Sequence, residues 1–234
     1  MKKKWLASPL TLAFTLALVV SSKSPIVQAE DSRVGNSEAG KEKSASCAGC
    51  HGEDGNSMMP TFPKLAQQHG SYLIRQLQAF KEGGRNDATM APMAMALSDV
   101  DMVDLAAYYS SQPISANPEP SLPPPEESDE PVDENKAKEA MKELLAVGSN
   151  LYRNGNLSSN LSACIACHGP SGEGNKPAAF PALRSQHADY LIKALTDFKS
   201  GARSKNPDNM MNMIAKKMSD EEIKAVGYYI STMK

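Results

Sequence analysis

The chain has 234 residues, with 25 Lys and Arg against 27 Asp and Glu, a formal charge of −2 at pH 7. So mild an acidic balance argues against a nucleic-acid partner, and the length suits two small domains better than one large one. Only 6% of residues are aromatic, which leaves each half short of the large side chains that fill a core.

In chain order, the first segment reads as an export signal. Lys2, Lys3 and Lys4 form a positive start, an apolar stretch runs from Trp5 to Val20, and Val27-Gln28-Ala29 offers a small-residue cleavage site. The stretch is shorter than the ~20 residues a spanning helix needs, so residues 1–29 are expected to be removed and the mature chain to start at Glu30 in the periplasm. Without Lys2, Lys3, Lys4 and Lys23 the chain holds 21 basic and 27 acidic residues, a charge of −6.

Next come Cys47-Ala48-Gly49-Cys50-His51 and, later, Cys164-Ile165-Ala166-Cys167-His168, which together use all four cysteines. The spacing C-x-x-C-H is that of covalent c-type haem attachment, in which two thioethers fix the porphyrin and the adjacent histidine meets the iron. Cys47, Cys50, Cys164 and Cys167 are therefore candidate attachment points, and His51 and His168 candidate axial ligands of two haem c groups. Redox disulfides or zinc sites are the competing readings. The two-residue gap followed by His on both occasions favours haem.

Placing the motifs in register exposes a duplication. Phe62-Pro63-Lys64-Leu65 answers to Phe180-Pro181-Ala182-Leu183, and the run from Gln68 to Ile74 answers to that from Gln186 to Ile192. Phe80-Lys81 matches Phe198-Lys199, Arg85 lies close to the position of Arg203, and Ser98-Asp99 matches Ser219-Asp220. A helical stripe of Tyr72, Leu73, Gln76, Leu77 and Phe80 recurs as Tyr190, Leu191, Ala194, Leu195 and Phe198. After each Ser-Asp, a good helix start, come Val100, Val103, Leu105 and Tyr108 in one half and Ile223, Val226, Tyr229 and Ile230 in the other. Two all-α domains, 30–112 and 136–234, are expected. The Pro-rich, acidic residues 113–135 between them read as an extended, self-repelling linker.

The duplication also narrows the search for a sixth iron ligand among thirteen methionines. Counting back from Ser98 and Ser219, Met occupies the same offset in both halves only at Met90 and Met211, expected on the loop before the last helix. Met93, Met95, Met210, Met213 and Met218 are assigned to packing around the haem or to the surface, and Met58 and Met59 receive no role. His69 and His187, also matched, are the competing ligands, against a polar or capping role at a helix start. An axial histidine usually donates its second ring N–H to a carbonyl or carboxylate. Pro63 and Pro181 offer carbonyls for this, or serve simply to stiffen their loops.

With these residues assembled, the chain resembles the cytochrome c4 family, dihaem periplasmic carriers made of two class I cytochrome c domains. The resemblance rests on the paired C-x-x-C-H motifs, the Gly52–Asn56 stretch with its counterpart Gly169–Asn175, the Phe-Pro-x-Leu segments, the Gln-x-x-x-Tyr helix starts and the Met-to-Ser-Asp ends. It implies His/Met ligation at His51/Met90 and His168/Met211, with Pro63 and Pro181 as partners of the histidines, and haems that meet near the domain interface. It also implies a non-enzymatic electron carrier. The partners expected are redox proteins, with a quinol-oxidising complex as donor and a terminal oxidase as acceptor, for a monomer with at most loose membrane association. The linker is longer and more acidic than the family leads one to expect. The alternative is a dihaem subunit of a sulfur-compound-oxidising dehydrogenase.

Residues 30–112 carry 7 basic and 11 acidic side chains, 113–135 carry 7 acidic and none basic, and 136–234 carry 14 basic and 9 acidic. Surface charge usually serves only solubility, but a dipole of this size could also orient the carrier so that one haem faces the donor and the other the acceptor.

Overall fold

The computed structural model describes residues 34–122, 133–203 and 209–234. The expected signal segment with its cleavage site, and the middle of the linker, lie outside them. Five helices build the first half: α1 (Ser37–Lys43), α2 (Ala45–His51), α3 (Gly70–Lys81), α4 (Met90–Met95) and α5 (Asp99–Ser111). Five more build the second: α6 (Glu134–Asn154), α7 (Ile165–His168), α8 (Ala188–Ser200), α9 (Met210–Ala215) and α10 (Asp220–Ser231). Among the described residues the only extended pairings are the isolated bridges Asn156–Leu161 and Asn175–Phe180. The fold is two tandem all-α domains.

Both halves are assembled on the same plan. The opening helix crosses the last one, α1 on α5 and α6 on α10, and α3 or α8 packs on another side of that last helix. The crossing works because a glycine sits at the contact. A Cβ on Gly40 would stand 2.1 Å from the Asp104 carbonyl oxygen, and one on Gly148 would stand 2.1 Å from that of Ala225. Each last helix starts in a capping box, with Ser98 and Asp101 in α5 and Ser219 and Glu222 in α10 exchanging side-chain and backbone bonds.

The helical stripes put Leu73 and Phe80 of α3, and Leu191 and Phe198 of α8, into the interior, as expected. In α5 the sequence reading needs correcting. Val100 is 52% exposed, while Met102 is fully buried with Leu105, Ala106 and Tyr109. Met102 sits four residues after Ser98, as buried Ile223 sits four after Ser219, so the two last helices bury the same register counted from their caps.

The halves differ at their start. Helix α6 has 21 residues where α1 has 7, and a loop closed by the Asn156–Leu161 bridge separates it from the second C-x-x-C-H turn. The connector also departs from a free, extended strand. Pro113 and Ser115 are tied to Asn56 at 3.0 and 2.8 Å. The Asn117 side-chain amide donates to the carbonyls of Ser185, Gln186 and Ser231 of the second half. Helix α6 begins within the expected linker, capped by Asp133.

Candidate haem-binding sites

In each half the C-x-x-C-H turn ends a helix, and the chain then folds back over its histidine. Gly55 and Gly172 make the return possible. Both have positive φ, +80° and +70°, which only glycine adopts without strain. The Gly55 carbonyl accepts from the N–H groups of Leu65 and Ala66 at 2.7 and 3.1 Å, and Gly172 accepts from Leu183 and Arg184 at 2.7 and 3.2 Å. These bonds carry the Phe-Pro segments to the histidines. Nδ1 of His51 lies 2.8 Å from the Pro63 carbonyl oxygen, and Nδ1 of His168 lies 3.0 Å from that of Pro181.

A carbonyl only accepts, so Nδ1 carries the proton in both rings and Nε2 presents its lone pair. Both rings are buried, and burial holds their pKa values below the ordinary imidazole value, outweighing the raising effect of the carbonyl bond. They are neutral, as an iron ligand must be. The rings of Phe62 and Phe180 flank them, with centroids 6.2 and 6.4 Å away. No two of the four cysteines are joined in a disulfide, and burial pushes the Cys47 thiol up and the Cys164 thiol up to about 11. Two cysteines outside any disulfide and one neutral, oriented imidazole per half are the set that a c-type haem requires.

Met90 and Met211 lie not on loops but in the first turns of the short helices α4 and α9. The Asp87 carboxylate, bonded to the N–H groups of Thr89 and Met90 at 3.0 and 2.9 Å, winds the chain into α4. Ala94 and Ala215, four residues further on in each helix, are both 0% exposed, so the two methionines share one register. Both are half-buried. Met93, Met95, Met210 and Met213 are exposed and Met218 belongs to the second core, while Met58 and Met59 stand in solvent.

His69 and His187 do something the sequence reading missed. Each precedes a helix without capping it by its side chain. Instead Nε2 of His69 donates to the Glu173 carbonyl oxygen at 2.8 Å, and Nε2 of His187 donates to that of Ser57 at 2.9 Å. Each histidine thus reaches into the haem loop of the opposite half.

They belong to a contact surface with approximate twofold symmetry. Gln68 exchanges two bonds with the Ala182 backbone, 2.8 and 2.9 Å, and Gln186 exchanges two with that of Lys64, 3.0 and 2.8 Å. Ala182 and Lys64 directly follow the two prolines whose carbonyls hold the histidines, so each half braces the other's ligand shelf. The residues before the glutamines, Gln67 and Ser185, take positive φ of +58° and +54°, a strained conformation repeated in both halves. Arg85 donates to the Tyr190 hydroxyl at 3.2 Å, and Arg203 donates to that of Tyr72 at 2.9 Å. Both guanidiniums also bond the Gln76 side chain. Burial alone would raise the Tyr190 phenol, but the two guanidiniums outweigh it and draw it below the usual phenol range.

The repeat had marked these residues in pairs without revealing their task. A matched polar residue looks the same whether it faces its own core or the other half. The clearest hint was Gln76, a polar side chain inside the apolar stripe of α3, now seen buried.

The duplicated turn, the shelf behind each histidine and the all-α halves define a tandem pair of class I cytochrome c domains. Accordingly, the family described as Cytochrome c matches residues 37–113 and again 145–234. The chain is 42% identical over 206 residues to cytochrome c4 of Azotobacter vinelandii, across 84% of this chain and 88% of that one. The crystal structure of reduced recombinant cytochrome c4 from Pseudomonas stutzeri matches with a TM-score of 0.74 at 38% identity, over 86% of this chain and 100% of that one. The chain belongs to the cytochrome c4 family. It is a dihaem c-type cytochrome, an electron-transfer protein with two covalently bound haems. It is also 34% identical over 224 residues, 95% of this chain and 94% of the relative, to a "Thiosulfate dehydrogenase electron acceptor" of Stutzerimonas stutzeri (strain A1501).

Proposed function

We propose that the chain is a periplasmic shuttle that passes electrons through two His/Met haems from a quinol-oxidising donor to a terminal oxidase. Cys47 and Cys50 would anchor the first haem and Cys164 and Cys167 the second, with His51 and Met90 holding one iron and His168 and Met211 the other. The observation that carries this reading is the matched geometry of the two sites. In each, a buried neutral histidine is tied through Nδ1 to a proline carbonyl, and a methionine stands at one register in a short helix. Because Nε2 of His69 and of His187 already donates to a carbonyl of the other half, neither nitrogen has a lone pair left for iron.

Each haem supplies an iron that cycles between two oxidation states. The chain's own residues orient the imidazoles, keep them neutral and brace both shelves against each other, so that little rearrangement accompanies each electron. Arg85 and Arg203, gathered with Tyr72, Tyr190 and Gln76 between the halves, are cations suited to the haem carboxylates. Irons held by both a histidine and a methionine would have no open position, which would suit outer-sphere transfer rather than substrate turnover.

The similarity to a thiosulfate dehydrogenase electron acceptor favours a second reading, in which the donor is a sulfur-compound-oxidising dehydrogenase. Carbon monoxide tests the ligand assignment. The reduced protein should leave both irons unliganded by the gas, Met90→Ala should open one iron and Met211→Ala the other. Binding to the unmodified protein overturns the proposal. Reduction by a thiosulfate dehydrogenase at a rate far above that by a quinol-oxidising complex selects the second reading.

A further inference from the structure

If the two sites were perfect copies, nothing local would distinguish their potentials, so the side chains that break the twofold relation carry the difference. One stands out. Lys64, directly after the Pro63 that holds His51, is 4% exposed, whereas its counterpart after Pro181 is Ala182. Its ammonium donates to the Ser115 carbonyl at 2.7 Å and to the Asn117 side-chain oxygen at 2.8 Å, both neutral acceptors. Among the described residues no carboxylate lies within ion-pair distance of it.

Arg85 in one half is matched by Arg203 in the other, and Asp54, beyond ion-pair distance, offsets only part of the Lys64 charge. Each haem loop carries an acid of its own, Asp54 in the first and Glu173 in the second, bonded to neighbouring loop groups. Arg184 of the second segment is half-buried and bonds Gln67 at 3.0 Å. A buried charge is screened far less than an exposed one, so Lys64 is the buried charge that one ligand shelf has and the other lacks.

We infer that Lys64 is a fixed positive charge that holds up the reduction potential of the N-terminal haem, so that the connector segment 113–117, by fixing its ammonium, sets part of the potential gap between the two haems. The inference rests on the two-haem reading above. A positive charge favours the ferrous state over the ferric one, because it is repelled more by the more positive iron. A unit charge about 10 Å from the iron at the effective permittivity of a protein changes an equilibrium constant on the order of tenfold.

The test is a spectroelectrochemical titration of the holoprotein and of Lys64→Gln, Lys64→Met and Lys64→Arg. Met90→His and Met211→His, each lowering the potential of its own haem, assign the two waves. Gln keeps hydrogen-bond donors for Ser115 and Asn117, Met keeps the shape, and Arg keeps the charge. Both neutral variants should lower the N-terminal potential by about tenfold in the reduction constant, about 59 mV for a one-electron couple. The C-terminal haem should move less than half as far, and Lys64→Arg should restore the unmodified value. A variant that fails to fold leaves the other neutral one to decide. Unmoved potentials, or equal shifts at both haems, overturn the inference while leaving the two-haem reading intact. A chain that takes up fewer than two haems overturns that reading instead.

Discussion

Lys43 shows how single side chains hold the first half together. Its ammonium lies 2.8 Å from Asp101 and 2.6 Å from Asp104, and so ties α1 to the last helix of its domain. Lys43 and the Ser98 cap hold the Asp101 carboxyl well below the usual carboxylate range. Burial opposes the Asp104 charge, but Lys43 and the Asn36 N–H, 2.8 Å away, still hold that group low. For an acid with a depressed folded pKa, the unfolded chain binds protons first on acidification. The stabilisation is therefore complete above about pH 4 and lost as pH falls through the lowered values. Lys43→Met should flatten the fall in urea midpoint between pH 7 and pH 3; a slope equal to that of the unmodified protein contradicts this role. At this scale the sequence told much. The C-x-x-C-H spacing named His51 and His168, and Pro63 and Pro181 came with it as possible partners, now found at 2.8 and 3.0 Å. It could not choose between a bonding and a stiffening proline, because that depends on the return turn at Gly55 and Gly172.

The helices are secured by features of very different legibility. Ser98 and Ser219 were readable as helix starts because a capping box is local, its partners being three residues apart. The inward face of α5 was not, since Val100 and Met102 are equally apolar and only packing against the neighbouring helices decides between them. Nor were the crossings at Gly40 and Gly148, whose partners Asp104 and Ala225 lie far along the chain. Gly40→Ala and Gly148→Ala should each destabilise the fold by about 1–3 kcal/mol, because a methyl group meets backbone that cannot yield. Denaturant midpoints that stay unchanged would show that α1 and α6 shift freely over their partners.

Across the whole molecule the decisive feature is that the two halves are bonded to each other through their haem loops. The acidic linker reads as an extended connector, and its composition does describe the self-repulsion of its acids. It says nothing of Asn117, whose amide spans three carbonyls of the second half while its oxygen receives Lys64. Asn117→Ala should cost about 1–3 kcal/mol through unpaired carbonyls and a loosened Lys64, and speed amide exchange around residues 64–66 and 185–188. Unchanged exchange there would show that the Gln68 and Gln186 pairs hold the halves unaided. The proposal at the centre of this picture is two irons braced in this way, each held by a histidine and a methionine. A redox titration of the holoprotein, followed in the visible and into the near infrared, tests it most directly. Two one-electron steps of distinct potential are expected, with the methionine-to-ferric-iron charge-transfer band present for both haems in the oxidised protein. A single step from a single haem, or one iron without that band, would contradict it.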